Sequence, residues 1–246
     1  MPDTPPRTAL VTGASRGIGA RIAEDLAADG VAVAVNYAAS PDQADAVVGR
    51  ITAEGGRAVA LHADLAQPEA ARALYDAAES ALGRVGILVN NVGIMKLAPL
   101  AGTNDAMLDR HLALNLSAPF RLMREAATRL PAGGRIINFS SRVVSLWQPG
   151  YAACAAAKAA VEAVTHILAK ELGPRKITVN AVAPGPVATE LFLADKSPEL
   201  VERIKAMNPF GRLGEPEDIA HIVCFLAGPD SGWISGQVIR ANGGVV

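Results

Sequence analysis

The run Thr12-Gly13-Ala14-Ser15-Arg16-Gly17-Ile18-Gly19 sets three glycines and an arginine between a β-branched stretch and the alanine-rich Ala20-Arg21-Ile22-Ala23. Glycines at these places let a turn tighten and let the backbone approach a ligand closely, and a helix starting there points its N-terminus at an anion. The chemistry implied is the holding of a dinucleotide pyrophosphate. The plainer alternative is a turn that only redirects the chain, but the order strand, glycine loop, helix argues against it. His62, His111, His166 and His221 show no metal-ligand spacing, and neither do Cys154 and Cys224, so no metal centre is expected. Glu162, four residues before His166, reads as a helix-surface pair.

A loop of this kind needs a strand before it and a helix after it, repeated around a sheet. Short β-branched runs at Thr8–Val11, 31–36, 58–63, 87–90, 135–140, 177–183 and 237–240 alternate with stretches of helical period starting near Gly17, Pro41, Pro68, Thr103, Tyr151 and Glu215. This alternation predicts a doubly wound α/β fold, a seven-stranded parallel sheet with helices on both faces. The 246 residues, half of them apolar, suit one domain spanning 1–246. Segments 142–150 and 184–212 break the rhythm and follow strand ends, so they are candidates for the substrate pocket, with 184–212 as the substrate-loop insertion. A net charge of -1 without a basic stripe argues against a nucleic-acid partner. No secretion signal is read in Met1–Arg7 and no apolar run long enough to span a bilayer, so a cytoplasmic protein without a membrane partner is expected.

The glycine spacing, with three residues between the first two, resembles the TGxxxGxG of short-chain dehydrogenases/reductases, and the likeness extends over almost the whole chain. Asn90-Asn91-Val92-Gly93 resembles the family's NNAG, Asn115 its active-site asparagine, Ser140-Ser141 the end of its fifth strand, and Pro184-Gly185 the turn after its sixth. Segments 208–216 and 235–238 resemble the branch of 3-oxoacyl carrier-protein reductases and broad ketone reductases. The family resemblance implies a Rossmann-type fold, a homo-oligomer (tetramer or dimer) and hydride transfer between a nicotinamide and a small-molecule ketone, aldehyde or alcohol. The catalytic roles would fall on Asn115, Ser141, position 154 and Lys158.

Position 154 departs from the family. There a tyrosine gives a proton to the carbonyl oxygen and the lysine one helical turn on lowers its pKa; here the residue four before Lys158 is Cys154. Tyr151 is three residues further back and does not match. A thiol is acidic enough to donate, but it is several ångströms shorter than a phenol, and proton transfer requires heavy atoms about 2.6 to 3.2 Å apart. Two readings of Cys154 stay open: a weakened proton donor, and a small apolar residue filling a helix face. Covalent thiol chemistry, with Lys158 activating the thiol, is a third. With Cys154 in the site, a dinucleotide-binding protein with little or no turnover is the rival to an impaired reductase.

For the cofactor, the second strand ends in the neutral Asn36-Tyr37-Ala38, with Ser40 nearby and Arg16 in the loop. An NAD site commonly has a carboxylate there to hold the ribose. NADP is therefore expected over NAD, its phosphate meeting Arg16. The resemblance gives the phosphates to Gly13, Ser15, Arg16, Gly17, Ile18 and Gly19, and the adenosine end to Asn36, Tyr37, Ala38, Ser40, Asp64 and Leu65. It also gives the cofactor Asn91, Gly93, Lys158, Pro184, Gly185, Val187 and Thr189, with Lys158 at the nicotinamide ribose. Asp64 could equally cap a helix. Trp147, Met95 and Phe192 are candidate pocket residues. Scattered arginines such as Arg124, Arg129 and Arg142 are the basic candidates for meeting an acyl carrier protein.

Overall fold

A computed structural model describes residues 7–194 and 196–246; the leader reading of residues 1–6 lies outside them. The strands are β1 Thr8–Val11, β2 Ala32–Tyr37, β3 Ala58–His62, β4 Val85–Asn90, β5 Arg135–Phe139, β6 Thr178–Pro184 and β7 Val238–Ala241. All pair in parallel, in the order β3-β2-β1-β4-β5-β6-β7. The order reverses between β1 and β4, and the crevice that a doubly wound sheet opens at such a point is where ligands bind.

The helices are α1 Gly17–Ala28, α2 Pro41–Ala53, α3 Ala70–Leu82, α4 Asp105–Leu112, α5 Ala118–Arg129, α6 Val143–Leu146, α7 Ala152–Leu172, α8 Glu190–Leu193, α9 Pro198–Ala206 and α10 Pro216–Ala227. The strand period of two divides the core. Ala9, Val11, Val33 and Val35 pack with Ile22, Val47 and Val223 on the face of α1, α2 and α10. Leu10 and Leu88 pack with Leu74, Leu122 and Leu168 on the face of α3, α5 and α7.

Two expectations change. The segments read as loops carry short helices: α6 lies within 142–150, and α8 and α9 lie within 184–212. The stretch Ala152–Arg175 is also long and apolar enough to cross a membrane by length and composition, contrary to the sequence reading. Here that helix packs on the sheet instead, burying Cys154, Lys158, Val161, Thr165 and Leu168.

Candidate active site

The crevice forms because the turns after β1 and β4 are laced together. Asn91 Nδ2 donates to the carbonyls of Thr12 (2.9 Å) and Gly13 (3.0 Å), and the Thr12 hydroxyl accepts from the amides of Asn91 and Val92. Gly13 and Gly17 take left-handed backbone, with φ of 60° and 57°. A side chain at Gly19 would strike the Gly13 carbonyl and the Asn91 amide. No side chain caps the N-terminus of α1, so its first amides remain for an anion. These turns line a cleft of about 370 Å³ that also holds Ser15, Arg16, Ile18, Tyr37, Ala38, Ser40, Asp64, Leu65, Gly93 and Thr189. The structure thus brings most of the expected cofactor residues together.

Several of them have other work. Asn36 is buried; its Nδ2 faces the carbonyls of Tyr37, Leu61 and Ala63, and its Oδ1 accepts from Gly13 N. Its neutral amide ties β2 to the glycine loop. Asp64 accepts from the Ala66 amide, which holds its carboxyl below the usual range; it closes a local turn, while Glu69 stands at the N-cap of α3. Gly185 and Val187 line a different hollow, of about 470 Å³, beside Phe210 and Asn242. Gly185 is required there because a Cβ would lie 2.8 Å from Asn242 Cα. Arg16 forms a 3.0 Å ion pair with Glu190 across the cleft mouth.

Two of the expected catalytic positions, Asn115 and Lys158, meet at the ends of β4 and β5. Between α4 and α5 the chain makes a π-turn, Ala113–Ser117, a form of helix common at functional sites. It carries Asn115, whose amide clasps Ile94 by accepting from its N–H (2.9 Å) and donating to its carbonyl (3.0 Å). A Cβ on Gly93 would lie 2.9 Å from Asn115 Oδ1 and 3.6 Å from Lys158 Nζ, so these three positions converge. Lys158, buried on α7, donates to the Phe139 carbonyl at 2.7 Å, and burial pushes its pKa down to about 8. One turn back, the Cys154 thiol is buried on the same helix. Burial raises its pKa and the Lys158 charge partly offsets that, so at neutral pH the thiol keeps its proton. Ser141 follows β5, its hydroxyl accepting from Val143 N.

Glu162 and His166, expected to pair with each other on the helix surface, instead reach separate partners, and Glu162 supports this group. The Ser140 hydroxyl donates to Glu162, which therefore steadies the serine turn, while His166 bonds the Gly236 carbonyl. A buried chain runs from Asn90 to Asn138 (2.8 Å) and from Asn138 to Thr165 (2.9 Å), locking β4, β5 and α7 in register. Paired asparagines at matching strand ends were the available signal. Arg129 is taken up by Asp76, Glu79 and Glu125, and Arg142 is half-buried, so neither stands as a freely exposed cation.

A family model described as enoyl-(acyl carrier protein) reductase matches residues 13–246. A short-chain type dehydrogenase/reductase of Picea abies is 46% identical over 250 residues, 98% of this chain and 92% of the relative. The chain belongs to the short-chain dehydrogenase/reductase family. Among the family's other members, an NADPH-dependent aldehyde reductase-like protein of Arabidopsis thaliana is 44% identical, over 98% of this chain and 94% of its own length. A short-chain dehydrogenase/reductase from Serratia marcescens superposes with a TM-score of 0.93 at 41% identity, covering 97% of each chain. An angucycline C-6 ketoreductase solved with bound NADP gives 0.92 at 39%, covering 97% of this chain and 95% of that one.

Proposed function

We propose that this short-chain dehydrogenase/reductase reduces a small-molecule aldehyde or ketone to the alcohol with NADPH, at a rate held down by Cys154. The observation that carries this reading is the convergence of Lys158, Asn115 and Gly93 at strand ends that open onto the glycine-lined cleft. Relatives named as an NADPH-dependent aldehyde reductase-like protein and a ketoreductase with bound NADP support it.

The cleft suits a dinucleotide: an uncapped helix end for the pyrophosphate, glycines where side chains would intrude, and Arg16 with Ser40 beside the adenosine end. Ser40 precedes α2 and makes no side-chain cap bond there, leaving its hydroxyl for a phosphate oxygen. When bound, NADPH supplies the hydride. The chain's own work is to meet the charge that grows on the carbonyl oxygen. Ser141 is the residue to hold that oxygen, Lys158 to orient the cofactor ribose and set local charge, and Asn115 to keep the turn after β4 in place. Cys154 retains a proton to give, but its side chain is too short for direct reach, so a bridging water must relay it.

Cys154 also favours a second reading, a cofactor-binding protein with little turnover. NADPH oxidation against a panel of aldehydes and ketones, with NADH as control, separates the two. The Cys154→Tyr variant is expected to be faster by about 10² to 10⁴-fold, the usual contribution of a positioned acid. Cys154→Ala is expected to match the parent if the thiol only fills space. Reductase activity absent from both the parent and the tyrosine form would establish the binding reading.

The chain acts as a homo-oligomer in a reducing, cytoplasmic setting. Support for the first is β7, a sheet edge with no further strand among the described residues, next to a Trp233 that is 99% exposed. Support for the second is two free cysteines far apart in the sequence.

A further inference from the structure

We infer that Glu190 is a cofactor-selecting residue: its carboxylate competes with the 2′-phosphate of NADP(H) for Arg16. The inference rests on the NADPH reading above and concerns a residue to which that reading gives no role.

Arg16 stands at the N-cap of α1, immediately before Gly17, and lines the cofactor cleft together with Glu190. Its Nη1 lies 3.0 Å from Glu190 Oε2. Glu190 is the first residue of α8, held in place by Thr189, whose hydroxyl accepts from Phe192 N. Thr189 in turn sits over the phosphate loop, where a Cβ on Gly17 would meet its Cγ2 at 3.4 Å. The glycine loop and the start of the 184–212 insertion therefore touch, and the charge pair closes over them. The other two arginines of the neighbouring hollow are paired among the helices α1, α2 and α10: Arg21 with Asp25 and Glu217, Arg50 with Glu24. Arg16 is the one paired with the insertion.

The side chains of Arg16 and Glu190 are 52% and 68% exposed. An ion pair so wet is weak and exchangeable. A phosphate dianion carries more charge than a carboxylate and matches the guanidinium fork equally well, so it displaces Glu190. The carboxylate left behind still repels it. NADH brings no phosphate to this corner and leaves the pair intact. Glu190 thus lowers the affinity for NADP(H) without touching NAD(H), and phosphate binding releases α8 from the glycine loop.

The test is the dissociation constants of NADPH and NADH, from cofactor fluorescence, for the parent, Glu190→Gln, Arg16→Gln and the double variant. Glu190→Gln is expected to bind NADPH about three- to fivefold more tightly at low salt, the scale of an exposed ion pair, with NADH unchanged. In the Arg16→Gln background most of that gain disappears. NADPH affinity unmoved by Glu190→Gln, or NADH tightening equally, overturns the inference. A parent that binds NADH as tightly as NADPH and loses nothing on Arg16→Gln overturns instead the NADPH reading on which it rests.

Discussion

Lys158 places an ammonium group where little water reaches it, and burial pushes its pKa from 10.5 to about 8. A shift of that size corresponds to about 3 kcal/mol of burial cost. Below about pH 8 the lysine is charged in both folded and unfolded chains and the cost stands in full. Between about 8 and 10.5 the unfolded chain binds more protons, so stability rises with pH across that window. The hydrogen bond to the Phe139 carbonyl offsets part of the cost. Lys158→Met is therefore expected to be more stable than the parent by about 1–2 kcal/mol at pH 7. Urea unfolding at pH 7 and pH 10 should show that margin narrowing at the higher pH, while reductase activity is lost. A lysine kept at a net cost in stability is consistent with a residue retained for chemistry. Its spacing from Cys154 could be read directly, because one helical turn is a local property. The commitments of Asn36 and Glu162 could not, because β3 and β5 bring their partners from distant parts of the chain.

The elements were legible where they are long and periodic. The first strand falls where expected and the other six shift by one or two residues at one or both ends, as frayed boundaries do. The short helices α6, α8 and α9 were not legible, since four to nine residues among prolines and glycines show too few turns for a period to emerge. The helix after the insertion announces its start chemically. Pro216 opens α10, Asp218 accepts from the Glu215 amide, and Glu215 and Asp218 complete a capping box. Arg212 grips both Asp218 oxygens and holds that carboxyl down to about 2. Since α10 packs on α1, this cap helps seat the helix that faces the cofactor. Asp218→Ala is expected to cost about 1 kcal/mol, the worth of a cap with its half-exposed ion pair discounted for solvent. The folded pKa is depressed, so the contribution is present above about pH 4 and lost as pH falls toward 2. Acid titration of the denaturant midpoint for parent and variant should show the curves converging in that window.

At the scale of the whole molecule, the doubly wound parallel sheet could be foreseen because a repeated strand-helix rhythm with right-handed crossovers leaves few alternatives. The outer surface could not, because an exposed and a buried tryptophan look alike in sequence. Trp233 is almost wholly exposed between α10 and β7, and among the described residues β7 ends the sheet without a further partner. An unprotected edge beside a large aromatic invites another chain. The opposite edge strand, β3, instead ends in His62, which bonds the Ala38 carbonyl and stacks edge-on with Tyr37. A second copy meeting the β7 edge would bury Trp233 twice over in a symmetric contact. Light scattering is then expected to give a multiple of the 25.3 kDa chain mass. Trp233→Glu, which puts one charge from each copy into the contact, should shift the distribution toward the single-chain mass while leaving far-ultraviolet circular dichroism unchanged. A parent that is monomeric at micromolar concentration, or a variant whose mass does not change, would place Trp233 outside any self-association surface. Because residues after β6 and β7 share the 470 Å³ hollow around Asn242 and Phe210, an assembly through β7 would also buttress the turn at Gly185 and Val187, which leads on to Thr189 in the glycine-lined cleft. The same variant should therefore lose part of its thermal stabilisation by NADPH as well.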